Sequence, residues 1–153
     1  MLCLFVTFVL LPSMVSAVLI ESASCSQEDV QSAIDSASDG DTVKVPAGEC
    51  IWSSPVSINE KAIVVAGSGM DKTIITDQGF RINGKDGKRF RITGMTIKDT
   101  GCISVNGDSK EWRIDKIHFV DSDNTGCSNR IIWVSPSGSD DAYTTGVIDH
   151  CFF

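Results

Sequence analysis

The feature that most constrains the fold of this chain is a short hydrophobic phrase that returns every 23 to 29 residues. A period of this length is typical of a solenoid, in which each repeat buries its apolar face only by stacking on its neighbours. The first part of the phrase reads V-S-I-N, F-R-I-N, I-S-V-N and I-W-V-S from Val56, Phe80, Ile103 and Ile132. We expect each of its steps, of 24, 23 and 29 residues, to be one coil.

The second part of the phrase reads F-R-I-T-G-M-T-I, W-R-I-D-K-I-H-F and G-V-I-D-H-C-F-F, beginning at Phe90, Trp112 and Gly146. Superposing the three copies predicts three stacked apolar columns. The columns are Ile92, Ile114 and Ile148; Met95, Ile117 and Cys151; and Ile97, Phe119 and Phe153.

Each copy is short and rich in β-branched residues, which favours strands over helices. The break in alternation at Thr93-Gly94 predicts a corner between two strands, and Asn83-Gly84 and Asn106-Gly107 predict further turns. Parallel pairing of successive coils gives a right-handed parallel β-helix, an all-β fold. An antiparallel sandwich with strands about ten residues apart is the alternative, and the aligned columns favour the β-helix.

The amino-terminal residues divide into three segments. Residues 1–17 have no charged side chain and end in Val15, Ser16 and Ala17, which predicts a signal peptide. An uncleaved membrane anchor is the alternative. Residues 18–24 are a short leader, and residues 25–153 are the β-helix domain of about four coils. We expect a secreted or extracellular protein, with the cell surface as an option and no membrane contact after signal removal.

Residues 26–37 predict an amphipathic helix. Ser26 is the expected N-cap, and the apolar residues recur at helical spacing, at Val30, Ala33, Ile34 and Ala37. A strand at 42–45 and a turn at 46–48 follow. A short helix with one apolar face, placed just before the first coil, would close the open end of a solenoid core.

The run V-Q-S-A-I-D-S-A-S-D-G-D-T-V-K-V-P-A-G-E-C-I-W, from Val30 to Trp52, resembles the opening of right-handed parallel β-helix proteins of the pectate lyase-like superfamily. The segment A-I-V-V-A-G-S-G-M-D-K-T-I-I, from Ala62 to Ile75, is similar to the following coil in that group. The resemblance covers most of residues 25–153. It is specific for fold but not for chemistry, because the superfamily includes lyases, hydrolases, tailspikes and adhesins.

Two functions follow from this resemblance. The first is the amino-terminal part of a secreted polysaccharide lyase or glycoside hydrolase, whose catalytic residues lie beyond residue 153. The second is a non-catalytic adhesin, tailspike-like protein or structural surface protein. The chain stops in the middle of a strand phrase, at Phe152 and Phe153, so we expect a β-helix truncated at the carboxyl end and no turnover by these 153 residues. The catalytic residues are unknown.

The presence of several cysteines that could form disulfides is consistent with an exported protein. Cys25 precedes the predicted helix and Cys50 follows the first strand, so a disulfide between them would hold the cap and stabilise it by about 3 kcal/mol. Cys102 and Cys127 could pair one coil apart. Cys151 lies in an apolar column, where a buried thiol is expected.

A lyase of this superfamily, as the resemblance implies, uses calcium held by carboxylates and a basic residue that removes a proton. Asp99 and Asp121 occupy equivalent places in adjacent copies, and with Asp123 they are the candidate metal ligands. Calcium is therefore possible, although solvated turn residues explain these aspartates as well. Asp140 and Asp141 lie in a Gly/Ser-rich stretch and are interpreted as loop residues.

The net charge is -7, yet residues 81–98 hold six of the thirteen basic residues and one acid. Such a patch could attract a polysaccharide, including a polyanionic one, or it could be a solvated edge with local ion pairs. The candidate ligand-binding residues are Lys85, Lys88, Arg89 and Arg91. Nucleic acid is excluded because the chain is acidic overall and carries an export signal.

Overall fold

The computed structural model describes residues 16–121, 130–136 and 143–153. The described part contains the helix α1 (Gln27–Ser36) and short strands. The strands are β1 (Leu19–Glu21), β2 (Thr42–Lys44), β3 (Gly48–Ile51), β4 (Val56–Asn59), β5 (Val64–Ala66), β6 (Thr73–Thr76), β7 (Phe80–Gly84), β8 (Arg91–Lys98), β9 (Ile103–Gly107), β10 (Lys110–Val120), β11 (Ile132–Ser135) and β12 (Thr145–Asp149).

All strand pairs are parallel, and each coil of the resulting β-helix has three faces. Face I is formed by residues 42–44, 64–66, 91–93, 113–115 and 147–149. Face II is formed by residues 48–51, 73–76, 95–98 and 117–120. Face III is formed by β4, β7, β9 and β11. The predicted parallel β-helix with an amino-terminal helix is therefore confirmed.

The strand register confirms the predicted columns. Ile114 pairs with Ile92 on one side and with Ile148 on the other. Ile92 and Ile114 are fully buried, whereas Ile148 is 43% exposed because no described strand lies above β12. The first part of the phrase stacks in the same way along face III, through Val56, Phe80, Ile103 and Ile132. The β-branched columns thus form one continuous core, and each fully buried side chain contributes about 1.5 to 3 kcal/mol.

The predicted corner lies at Gly94, whose φ of +71° turns the chain from face I to face II. Lys116 and His150 occupy the equivalent positions in the next two coils with φ of 54° and 52°. Glycine is therefore not needed at every corner of this type. Of the two predicted Asn-Gly turns, only the second has a left-handed residue, Gly107 at φ +87°. Both pairs belong to strands, β7 and β9, so the prediction of a turn at Asn83-Gly84 is wrong.

The helix α1 closes the lower end of the core, as predicted. The Ser26 hydroxyl accepts a hydrogen bond from the Asp29 backbone N–H, which is the expected N-cap. The buried face is formed by Val30, Ala33 and Ile34. At the other end, the Lys61 ammonium donates to the carbonyls of Ile34, Asp35 and Ala37 at 2.7 to 2.8 Å, so a cation occupies the negative pole of the helix.

Two devices cover the lower edges of the sheets. The strand β1, which lies in the predicted leader, pairs with β2 in parallel. The Gln31 side-chain amide accepts a hydrogen bond from the Ser57 N–H at 2.7 Å and donates one to the Ser57 carbonyl at 3.0 Å. One side chain of α1 thus occupies both backbone groups that Ser57 presents below β4.

The predicted disulfide between Cys25 and Cys50 is confirmed, with a Cα–Cα distance of 5.9 Å. It joins Cys25, which precedes the N-cap of α1, to Cys50 in β3. Cys102 is also disulfide-bonded, but its predicted partner Cys127 lies outside the described residues, so that pairing stays a prediction. Cys151 has a free, half-buried thiol, and burial raises its pKa.

A membrane-spanning helix, long and apolar enough to cross a bilayer, is absent from the described part of the chain.

Candidate functional site

The four predicted ligand-binding residues lie where face III turns into face I, and each of them faces an acidic partner. Lys85 contacts Glu60 at 2.7 Å, Lys88 contacts Asp39, and Arg89 contacts Glu111. Arg91 donates from Nε and Nη2 to the two carboxylate oxygens of Asp115, both at 2.7 Å. Four of the six basic residues in the patch of the sequence thus form ion pairs that link one coil to another.

Three adjoining cavities lie at this corner, and together we call them the corner groove. Their volumes are about 500, 380 and 320 Å³. Glu111 borders all three, Arg89 borders two, and Arg113 borders two. Because the lining residues come from successive coils, the groove follows the axis of the β-helix.

A ladder of charges forms one wall of the corner groove. Arg91 on β8 reaches up to Asp115 on β10, and Arg113 on β10 reaches up to Asp149 on β12 at 2.6 and 3.0 Å. Arg113 also lies 3.7 Å from Asp115. The Asp115 side chain is fully buried, whereas those of Arg91 and Arg113 are 38% and 46% exposed. The ladder is thus buried at Asp115 and open to solvent at its guanidinium groups.

The ladder alters the acidity of its carboxyl groups. Burial raises the pKa of Asp115, but the hydrogen bond and positive charge of Arg91 and the charge of Arg113 outweigh it, so the pKa lies below the usual value. The pKa of Asp149 is lowered as well, mainly by its hydrogen bond from Arg113. Both carboxylates are ionised at neutral pH, and the pKa of each arginine is raised in return.

Aromatic rings lie beneath and beside the groove. Trp112 and Phe90 stack at 5.9 Å with nearly parallel rings, and both are buried. Gly146 packs directly on the Trp112 ring, where a Cβ atom would come within 2.0 Å. Tyr143 is 56% exposed, and the Lys110 ammonium lies 4.5 Å from the centre of its ring. The structural interpretation of Trp112 is confirmed, and Tyr143 is the aromatic residue that the groove offers to a ligand.

The candidate metal ligands Asp99 and Asp121 follow registered ends of β8 and β10, and Asp77 occupies the same place one coil below. All three have left-handed backbones, which aspartate tolerates. Asp123 lies outside the described residues. Among the residues that are described, no group of three or more metal-ligating side chains comes together. The calcium site with Asp123 stays a prediction.

Face III carries a polar surface that the sequence analysis did not single out. Two rows of side chains point outward from β4, β7, β9 and β11, because they alternate with the buried columns. One row is Ser57, Arg81, Ser104 and Trp133, and the other is Asn59, Asn83, Asn106 and Ser135. The Asn83 amide donates to the Asn59 side chain at 2.7 Å. The sequence signal for this surface was the Asn that recurs in the repeated phrase. It was missed because Asn83-Gly84 and Asn106-Gly107 were interpreted as turns.

Arg81 is the only charged residue of these eight. It is exposed, and no carboxylate of the described residues pairs with it. At the upper end of the row, the Arg130 guanidinium lies 3.9 Å above the Trp133 ring. Face III is thus polar and almost uncharged, in contrast to the corner groove.

Comparisons with known proteins gave no match to a family model, to a curated protein or to a solved structure.

Proposed function

We propose that this protein is an exported β-helix that binds polysaccharide along the corner groove. The observation that carries the proposal is a set of three adjoining cavities that share Glu111 and are lined by charged side chains from successive coils, one of them also by the exposed ring of Tyr143. An open groove of this kind suits an extended polymer better than a compact small molecule, which is normally enclosed on most of its surface.

The spacing of the coils supports a polymeric ligand. Parallel strands lie about 4.8 Å apart, so equivalent side chains repeat along the groove at about the length of one sugar unit in an extended chain. Arg89, Arg91 and Arg113 supply donors, and Glu111 supplies acceptors. A sugar needs both kinds of partner, since each hydroxyl can donate and accept.

The finer proposal is that the chain is an amino-terminal part of a pectate lyase-like protein. The resemblance of residues 30–52 supports it, because the end of α1 and the strand β2 follow each other in this segment in the expected order. The disulfide between Cys25 and Cys50 supports export, since such bonds persist in oxidising compartments. Catalysis by this chain is not part of the proposal.

The proposal is tested by co-sedimentation with a panel of insoluble polysaccharides. We expect retention of the full chain, and a loss of about 5-fold or more in association constant for the variant Tyr143→Ala, because stacking on an exposed ring contributes on the order of 1 kcal/mol. The matched control is Lys72→Gln, an exposed residue at the corner between faces I and II. No retention on any member of the panel would contradict the proposal.

A parallel assay addresses catalysis. We expect no release of unsaturated uronides from pectate or alginate, with or without added calcium. Measurable release would show that these residues already contain a catalytic site and would require a different function.

A further inference from the structure

We infer that the polysaccharide of the corner groove is uncharged. This inference rests on the proposed function and specifies its substrate class. The sequence, with its cluster of basic residues, suggests the opposite, namely a polyanion. The structure changes this expectation because of where the acidic partners lie.

Every cation that lines the groove has its own carboxylate. The four pairs are Arg89 with Glu111, Lys110 with Asp86, Arg91 with Asp115, and Arg113 with Asp149. Lys85 and Lys88, just outside the cavities, are matched in the same way by Glu60 and Asp39. Over the described residues, these six positive and six negative charges cancel, so the groove offers little net potential for steering a polyanion.

A polyanion would also have to displace the carboxylates already in place. Arg91 and Arg113 each use Nε and Nη2 in a two-point contact, which is the geometry that a uronate or sulfate would need. Asp115 is fully buried and cannot move into water without disrupting β10. Adding a third carboxylate would bring like charges together at the base of the ladder.

The same pairs are well suited to neutral sugars. After their contacts with carboxylates, the guanidinium groups of Arg89, Arg91 and Arg113 keep N–H groups on their outer sides. Asp115 is buried, so its pair with Arg91 offers donors only. Glu111 and Asp149 are accessible, so their pairs with Arg89 and Arg113 offer a donor beside an acceptor, which matches two neighbouring hydroxyls of a sugar ring. Tyr143 supplies an aromatic surface for the apolar side of the ring.

The experiment compares neutral and anionic polymers by affinity electrophoresis of the full chain, with galactomannan and xyloglucan against polygalacturonate and alginate. We expect retardation by a neutral polymer. By isothermal titration with a soluble oligosaccharide of that polymer, we expect an association constant that changes less than about 2-fold between about 0.05 and 0.5 M NaCl, because screening acts on unmatched charges.

Two variants locate the effect. Glu111→Gln removes an acceptor and leaves Arg89 unmatched, so neutral binding should fall about 3-fold to 10-fold, the loss of one hydrogen bond of about 1 kcal/mol. Glu60→Gln makes the same chemical change in an exposed ion pair outside the cavities and should change nothing. Both residues are exposed and already have left-handed backbones, so the two substitutions are matched.

The outcomes separate the two proposals. Retardation by polygalacturonate alone, with binding that weakens steeply as salt rises, would overturn the uncharged ligand and leave the polysaccharide-binding function in place. Binding to none of the four polymers, together with none in the co-sedimentation panel, would remove both. Equal effects of Glu111→Gln and Glu60→Gln would show that the ligand lies elsewhere.

Discussion

The corner groove and face III are neighbouring surfaces of the same coils, but the groove carries many paired charges and face III carries almost none. In the groove, each arginine is matched by a carboxylate from the coil above. On face III, Arg81 is the one charged side chain among the eight residues of the two outward rows. The difference shows that the number of basic residues in a segment says little about its potential, because the partners come from other coils.

The comparison also separates two ways of joining coils. The groove joins them with long side chains that reach up one step, as Arg91 reaches Asp115. Face III joins them with short amides in a column, as Asn83 donates to Asn59. The first arrangement involves a buried charge and should be sensitive to substitution, whereas the second is exposed and should be tolerant.

The largest effect is expected from removing an arginine in the groove. Arg91→Met leaves Asp115 buried with only Arg113 nearby, so the free energy of unfolding should fall by about 2 to 3 kcal/mol, less than for a fully buried pair because the Arg91 guanidinium is 38% exposed. Arg81→Met, the same change on face III, should cost less than about 0.5 kcal/mol. Urea unfolding followed by circular dichroism checks both, and similar shifts would contradict the comparison.

A smaller effect is expected at the lower edge of face III. Gln31→Ala removes two hydrogen bonds to the Ser57 backbone, which should lower the free energy of unfolding by about 1 to 2 kcal/mol. Ser32→Gln, at an exposed position of the same helix, serves as the control. Thermal unfolding measures the difference, and an unchanged midpoint for Gln31→Ala would show that water replaces the amide at no cost.

The groove should contribute to the pH dependence of stability, together with Asp39 and Asp41, whose pKa values are also lowered. The pKa of Asp115 is lower in the folded protein than the usual value near 3.9, so the unfolded chain binds more protons, and stability falls as the pH drops below about 4 toward the folded pKa. Asp115→Asn should flatten this acid limb, and Arg81→Gln should leave it unchanged. Unfolding midpoints between about pH 2.5 and pH 7 provide the measurement; an acid limb as steep in Asp115→Asn as in the parent chain would assign it to other carboxylates.

The smallest effect is expected in the asparagine column. Asn83→Ala removes one exposed hydrogen bond to Asn59 and should cost at most about 0.5 kcal/mol. Asn106→Ala, where the amide contacts the Ile82 carbonyl at 3.4 Å, is its companion. If the free energy of unfolding fell by more than about 1 kcal/mol in either variant, the exposed asparagine column would stabilise the coils more than we expect from its comparison with the groove.

The core of this fold could be predicted from the sequence because it depends on one-dimensional periodicity. Ile92 and Ile114 stack since both the period and the strand direction repeat, and Ser26 starts a helix through local hydrogen bonds. The disulfide between Cys25 and Cys50 was predicted from their positions before the helix and after the first strand.

The site could be predicted only in part, because its contacts depend on the offset between coils. Arg91 and Asp115 are 24 residues apart, two residues more than the step between Ile92 and Ile114. A diagonal contact of this kind is invisible without the register. The basic cluster is visible in the sequence, but its neutralisation by Glu111, Asp115 and Asp149 required the structure.

The fluorescence of the two buried tryptophans can report on unfolding in two different parts of the molecule. Trp52 packs edge-on against Phe80 near the helix, and Trp112 stacks on Phe90 beneath the groove, so the indoles report on opposite ends of the stack. Because solenoids need not melt in a single step, chains that retain only one of these indoles would show by fluorescence which end opens first on heating.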